Sequence, residues 1–528
     1  MKTAHIAFIK KSILFSSICL AACYSVVRNI PDWRITGKWI GTIIFVLISI
    51  VVISVHKLVK PEYRFIPDIR VYSIILIAVN LGIAGICLLQ ITGVIRNDSL
   101  FNAVADFDNP AGIASSLCCT FPFSLMLSHQ KKISTILAII IYSIDGLFLF
   151  LIQSRTGLMA LGTSGLFLLL YTLKGLKTRT KWLYLLFLLF LIETFSVFFL
   201  FRNKVASTNG RKVIYNTCVR MIADRPILGY GPDGFGKYYM HWQADYLKTI
   251  NDENIIMLSD NITHPLSELL LITVNYGLVG LFVVVGLIVY TVVLSQKREE
   301  HIRTLLFMFL CNICILSLFS YPFRYPMTTI ALIFFVYILF KDRLEMSKRD
   351  HNRFISIIIL IISILSFLFV VRWYKAQVYW KEMIEVFNSC NEFKEDYLHL
   401  TDKMLGNNPR YLYSRAVVNF YAGDYNSSLT YAEKSAEKLS SYDSELLIGN
   451  ILQKLESNMD AEIHYKEASN MCPSKITPLY RLFRLYDEER DTVKMIKIGH
   501  EILDMPVKVS SHDTRAMRFD VRRKLLYL

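Results

Sequence analysis

Five side chains in this sequence combine reactive chemistry with a telling position: Arg155, Arg211, Arg220, His264 and Glu268. Arg155 sits in Ser154-Arg155-Thr156-Gly157, between two apolar runs. A charge at a hydrocarbon boundary is tolerated but commonly held by a partner, and alone it is equally a snorkelling arginine. Arg211 and Arg220 belong to a polar stretch that also holds Arg202, Lys204, Lys212 and Arg225. His264-Pro265 precedes Ser267 and Glu268 at the start of another apolar run. A histidine there can serve as a general base near neutral pH, although a lone interfacial histidine is more often structural. A helix through 264–268 would put His264 and Glu268 on one face, with Pro265 accepted in its first turn. The run Pro226-Ile227-Leu228-Gly229-Tyr230-Gly231-Pro232-Asp233-Gly234 lacks the strand-before, helix-after setting of a nucleotide loop. It reads as a tight backbone turn at which chain or substrate approaches closely. Asp145 and Glu193 lie inside apolar runs, where an unpaired acid costs several kcal/mol. They form a proton path or pair with an arginine or a backbone donor.

Long apolar helices must position these groups. Of 528 residues 54% are hydrophobic and only 19% charged, against about a quarter in soluble proteins. The net charge of +15 is uneven: residues 1–372 carry +16 and residues 373–528 carry −1. This predicts a basic, apolar membrane body followed by a soluble domain. Excess Lys and Arg is explained by cytoplasmic loops, and no basic stripe with interleaved aromatics points to nucleic acid. At roughly 20 apolar residues per span, eleven spans are expected, near 12–30, 39–56, 71–95, 111–128, 133–152, 156–173, 182–201, 265–294, 303–321, 326–340 and 354–371. The stretch Pro265 to Leu294 is too long for one straight span and is expected to begin with a short helix before Gly277. No cleaved signal peptide is expected. Cys118-Cys119 and Cys311-x-x-Cys314 lie in apolar segments and read as packing, not as a metal or redox site.

With the N-terminus inside, the cytoplasmic segments hold 21 Lys and Arg and the short external loops hold 6. The positive-inside rule therefore puts loop 202–264 and everything after residue 372 outside. In the C-terminal part, Gly449-Asn450-Ile451, Ala461, Tyr465, Ala468 and Pro473 fall at the small, small, aromatic, small and proline positions of a tetratricopeptide repeat. Ala416, Gly423-Asp424-Tyr425 and Ser428 fit the same frame upstream, and Pro506 lies 33 residues after Pro473. Two to three repeats are expected, with a generic helical bundle as the alternative.

Four segments in order resemble the O-antigen ligase and O-linked oligosaccharyltransferase superfamily, which includes O-antigen polymerases. They are Phe107-Asp108-Asn109-Pro110-Ala111-Gly112 with Pro122 downstream, Ser154-Arg155-Thr156-Gly157, and Gly210-Arg211 with Arg220 and Pro226-x-x-Gly229-x-Gly231-x-x-Gly234-Phe235. The fourth is His264-Pro265-Leu266-Ser267-Glu268-Leu269, ending in Tyr276-Gly277-Leu278-Val279-Gly280. Together they cover about 105–295, and a C-terminal tetratricopeptide domain accompanies many members. The family commonly shows His-Asn-x-Tyr-Leu; counted back from Gly277, His264 lies about two residues early, and Ser267-Glu268 occupy the Asn-Glu place.

The resemblance implies an all-α polytopic membrane enzyme of a bacterial inner membrane, with domains 1–372 and 373–528, the second a periplasmic tetratricopeptide-like domain. It implies en bloc transfer of a glycan from undecaprenyl diphosphate to a lipid A-core sugar or a protein Ser/Thr hydroxyl, without a cofactor or metal. Arg155, Arg211 and Arg220, with Gly229, Gly231 and Gly234, would bind the diphosphate and glycan. His264 or Glu268 would be the base. The repeats would engage a protein partner. A polymerase of the same superfamily and a non-enzymatic transporter of lipid-linked glycan are the alternatives.

Overall fold

The computed structural model describes residues 30–31, 33–59, 68–97, 99, 101–172, 205–250, 252–346, 353–388, 396–508 and 511–526. The expected spans 12–30 and 182–201, with Glu193, lie outside the described residues. Every regular element among the described residues is a helix. Two compact units emerge, one of residues 1–202 and 285–382, the other of residues 203–284 and 383–528.

The first unit is built from α1 (Lys38–Val59), α2 (Ile69–Ile91), α3 (Pro110–Thr120, continued by a 3-10 turn Phe121–Met126), α4 (Lys131–Leu151) and α5 (Arg155–Thr172). The later part of α9 (Glu268–Gln296), α10 (Glu300–Phe319), α11 (Pro326–Met346) and most of α12 (Arg353–Asn388) complete it. Six helices of the described chain are long and apolar enough to cross a membrane: Ile35–Val55, Ile69–Ile91, Lys131–Leu151, Glu268–Gln296, Glu300–Phe319 and Ser356–Glu385. Pro110–Met126 and Pro326–Lys341 are shorter apolar helices. α5 coincides with the expected span 156–173 but is less apolar than these six. The protein is thus a multi-pass membrane protein.

Short α3 lies in the middle of this unit. Nine of its eleven residues, Gly112 to Thr120, are buried, most of them small. Small residues let helix backbones approach where lipid supplies no hydrophobic drive. Polar links hold the bundle together. The Asn80 amide donates to Asp145 Oδ2 (3.1 Å), to Thr120 Oγ1 (3.0 Å) and to the Leu117 carbonyl (3.3 Å). Ser164 donates to Asn312 Oδ1, and Asn312 donates to the Cys118 carbonyl. Asp145 therefore takes a side-chain amide partner, in place of the arginine or backbone donor expected for it.

In the second unit, the long polar segment after residue 202 is helical: α6 (Val205–Asp224), α7 (Gly234–Leu247), the short α8 (Glu253–Ile256) and the first turns of α9. The C-terminal part adds α13 (Asp396–Leu405), α14 (Pro409–Tyr421), α15 (Tyr425–Ala436), α16 (Tyr442–Lys454), α17 (Asn458–Met471), α18 (Thr477–Glu488), α19 (Thr492–Asp504) and α20 (His512–Leu526). Consecutive helices pair where small residues permit it. A Cβ on Gly449 would stand 2.6 Å from the Tyr465 ring, so only glycine lets that ring lie against α16. Asn408, Asp424, Ser441 and Asp491 cap α14, α15, α16 and α19 with side-chain acceptors. One core joins both parts: Ile214, Cys218, Met221, Phe235, Tyr239, Met240, Ala244 and Val274 pack with Tyr442, Ala468, Met471 and Cys472.

Candidate functional site

The glycine run is a turn laced into a broken helix. α9 loses helical geometry at Gly277 (φ 62°, ψ −160°), the break expected from its length. Positive φ with ψ near −160° is accessible essentially to glycine alone. Across the break, Tyr230 N–H donates to the Val274 carbonyl (3.0 Å) and Gly231 N–H to the Asn275 carbonyl (2.8 Å). Leu278 N–H donates to the Pro226 carbonyl (2.8 Å). The groups freed by the break are thus satisfied by the turn. A Cβ on Gly229 would lie 2.5 Å from the Val274 carbonyl oxygen, and one on Gly277 would lie 2.1 Å from that of Ile227. The approach at Gly229 is therefore chain on chain. At Gly234 a Cβ would strike the Tyr230 Cβ at 2.4 Å, whereas Gly231 (φ 85°) has nothing within 4 Å of that position. Sequence reading missed Asn275, whose Oδ1 accepts from Phe235 N–H at 2.9 Å. An amide interrupting an apolar run two residues before Gly277 was the available signal.

His264 and Glu268 do not share a helix. α9 begins only at Glu268, and Leu266 adopts φ 56°, which no α-helix continues through. The expectation of one helical face for the two is corrected accordingly. His264 Nδ1 instead accepts from Leu266 N–H at 3.0 Å, closing a local turn. Ser267 Oγ accepts from Leu270 N–H at 3.4 Å in the manner of an N-cap. Glu268 is 7% exposed and occupies the first turn of α9, where the helix dipole favours an anion.

Arg211 borders a cavity of about 190 Å³ whose wall includes Gly210, Gln243, Ser259, Asp260 and Leu266. Its floor is fixed by fully buried Gln243, which donates to the Asp260 (3.0 Å) and Met471 (2.9 Å) carbonyls and accepts from Tyr239 (2.9 Å). On its rim, Asp260 faces Lys475 at 3.7 Å and Lys508 at 3.8 Å. Both lysines belong to loops of the C-terminal part, which reach the Asp260 edge of the cavity. Arg220 is committed elsewhere, lying over the Tyr246 ring (4.6 Å) and donating to Thr249 Oγ1 (3.1 Å). Two thiols of this unit, Cys218 and Cys472, are free and buried, and burial pushes each up to about 12, so they are poor nucleophiles.

Arg155 belongs to the first unit and opens α5. Ser154 Oγ accepts from Gly157 N–H at 3.3 Å, so the Ser-Arg-Thr-Gly sequence is a capped helix start with the arginine in its first turn. A Cβ on Gly157 would lie 2.7 Å from Leu149 Cδ2 and 2.9 Å from Ala114 Cβ, which explains the glycine as a packing requirement. Nearby in sequence space, Asn109 caps α3 through Ala111 N–H (2.8 Å) and bonds Tyr321. Tyr325 donates to Asp108 Oδ1 at 2.9 Å, and Lys38 donates to the Asp106 carbonyl at 2.8 Å. Tyr321 and Tyr325 went unread, because two tyrosines in a short loop carry no spacing signal. Among the described residues, no three of His, Cys, Asp and Glu come together in a way that could hold a metal ion.

Six apolar helices of spanning length beside a polar helical unit define a multi-pass membrane protein. Residues 137–285 match the family model for O-antigen ligase, so the chain carries a domain of the O-antigen ligase superfamily. Arg155, Arg211, Arg220, Gly229, Gly231, Gly234, His264 and Glu268 all fall inside the matched segment. No curated protein matches the chain.

Proposed function

We propose that this protein transfers a glycan en bloc from undecaprenyl diphosphate to an acceptor hydroxyl, on a lipid A-core sugar or on a protein Ser/Thr, at the external face of a bacterial inner membrane. The observation that carries the reading is that one O-antigen ligase segment, 137–285, contains both the capped Arg155 helix start and the cavity edge at Arg211. A lipid diphosphate is already a good leaving group. Catalysis then consists mainly of holding its growing negative charge with preorganised cations. Arg155 and Arg211 serve that role, while Arg220 is held by the Tyr246 ring and Thr249.

The acceptor hydroxyl loses its proton to His264 or Glu268. In neutral His264, Nδ1 accepts from Leu266 N–H, so the ring proton sits on Nε2. His264 acts as the base only after releasing that N–H, and in the resting geometry it is a donor. Glu268 is the alternative, and Gly231 is the glycine in the turn with space for a glycan to approach. The helix pairs after residue 396 act as tetratricopeptide-like repeats that engage a protein partner.

The test is glycan transfer by the purified chain in proteoliposomes, supplied with an undecaprenyl-diphosphate glycan and either acceptor. A glycosylated acceptor supports the reading. A ladder of repeat units left on the carrier would indicate polymerisation, and no product with either acceptor would overturn the proposal. The topology, with the N-terminus cytoplasmic and residues 202–264 and 373–528 periplasmic, is tested by labelling a cysteine placed at exposed Met459 from outside the inner membrane. Labelling only after that membrane is permeabilised overturns it.

A further inference from the structure

The last described helix carries apolar residues on two opposite sides. Along α20, Met517, Val521 and Leu525 recur at i, i+4 and i+8 and pack into the core with Phe483 and Ile502. On the other side Arg515, Phe519, Arg522 and Leu526 recur at i, i+4, i+7 and i+11, a single stripe at 3.6 residues per turn. All four are exposed, Phe519 by 69% and Leu526 by 78%. The outer face of a helix on a soluble domain is normally polar.

The cations of α20 divide into two groups. Arg523 pairs with Asp520 at 3.0 Å, Lys524 bonds Asp487, and Arg518 donates to the Met505 carbonyl. The side chains of Arg515 and Arg522 make no hydrogen bond or ion pair among the described residues. The two carboxylates of the helix, Asp513 and Asp520, fall off the stripe by the same helical arithmetic. The exposed face is therefore purely basic and apolar, the pattern of helices that lie in a bilayer interface.

We propose that this stripe of α20 docks on the surface of an anionic phospholipid bilayer, with Phe519 and Leu526 entering the headgroup boundary and Arg515 and Arg522 pairing with lipid phosphates. Charge complementarity selects the occupant, because anionic headgroups satisfy both arginines while the acyl boundary takes both apolar side chains. Tethering reinforces it. The chain carries its own membrane spans, so a bilayer is always within reach and a weak contact is sufficient. The inference does not depend on the catalytic reading.

The experiment places a photoreactive benzoyl-phenylalanine at Phe519 in the full-length chain. The protein is reconstituted into nanodiscs of phosphatidylcholine alone or with about a quarter phosphatidylglycerol. A phospholipid adduct is expected in the anionic discs. Each arginine near such a surface is worth about a fivefold factor, so Arg515→Gln with Arg522→Gln should lower the adduct about 30-fold. Arg515→Lys with Arg522→Lys, which keeps both charges, should retain most of it. Equal adduct in uncharged discs, no lipid adduct in anionic discs, or a cellular adduct to protein in place of lipid would each overturn the proposal.

Discussion

The two units solve the same packing problem under opposite solvents. In the first, small and polar residues of α3 share the interior with aromatics such as Phe121, Phe123 and Phe309, while other large apolar side chains such as Leu287, Leu365 and Phe369 face outward. In the second, aromatics such as Phe235, Tyr239, Tyr465 and Phe483 fill the interior and caps and ion pairs occupy the outside. Water drives burial of large apolar surface, whereas lipid offers no such gain and leaves close packing and polar links to hold helices together. A residue type thus has no fixed meaning here. Glycine serves helix contact at Gly157 and Gly449 and backbone geometry at Gly277.

The largest predicted effect separates those two uses of glycine. At Gly277 an added Cβ meets the backbone of Ile227, which cannot move aside, and φ is positive. Gly277→Ala should cost about 4 kcal/mol or more and prevent stable folding of the second unit. At Gly157 the obstacles are the tips of Leu149 and Ser154 side chains and the Ala114 methyl. Gly157→Ala should cost only about 1–3 kcal/mol. Gly231→Ala, with open space but φ 85°, should cost about 1 kcal/mol. Thermal unfolding of the detergent-solubilised variants checks the order, and equal losses at Gly277 and Gly157 would refute the distinction.

The next effect tests the arginines proposed to hold the diphosphate. Arg155→Ala and Arg211→Ala should each lower transfer by about 10²–10³, the loss of roughly 2–4 kcal/mol of transition-state stabilisation. Lysine should restore only part, lacking the bidentate fork. An active variant at either position, well expressed, would exclude that residue from the phosphate clamp. Within the second unit, His264→Ala should cut transfer about 10²-fold. Inactive Glu268→Gln beside normal His264→Ala would move the base to the glutamate.

How much of this was legible followed the range of the interactions. The positions of six spanning helices, the break at Gly277 and the small-residue pattern around Gly449 and Tyr465 are local, and the sequence displays them directly. The core that ties Cys218 and Tyr239 to Ala468 and Cys472 joins positions more than 200 residues apart. No periodicity announces such a contact, so a simple boundary at residue 372 could not foresee that 203–284 and 383–528 fold around one interior. The His264–Glu268 register failed for a different reason. One residue, Leu266, takes a left-handed conformation that neither propensity nor spacing would assign to leucine.

A smaller effect tests the polar links of the membrane unit. Removing Asn80 leaves the buried Asp145 carboxyl without its side-chain donor. Asn80→Ala should therefore destabilise by about 1–3 kcal/mol, and Asn80→Leu with Asp145→Leu should recover much of that loss by leaving neither polar group buried alone. Failure of the double variant to recover would mean that Asp145 serves more than packing.

The smallest effect belongs to the second unit and depends on pH. His241 on α7 lies 2.9 Å from Glu467 on α17, with Glu445 and Asp245 also acting on the ring. The bond to Glu467 holds the imidazole above its ordinary value of 6.5, against partial desolvation. The same bond holds Glu467 below 4.5. A raised histidine contributes stability that is full below 6.5 and fades as pH rises through its folded value. A lowered glutamate contributes stability that is present above 4.5 and fades as pH falls through its folded value. The pair is therefore strongest between about pH 4.5 and 6.5. Because His241 is 47% exposed, screening limits it to about 0.5 kcal/mol. His241→Ala should lower the melting temperature by about 1–2 °C at pH 5.5, and by less at pH 8 or in high salt. An equal decrement at both pH values would show that the ring contributes packing and not charge. The membrane unit's Asn80–Asp145 link should show no matching salt dependence, since ions do not reach a carboxyl sealed inside the bundle.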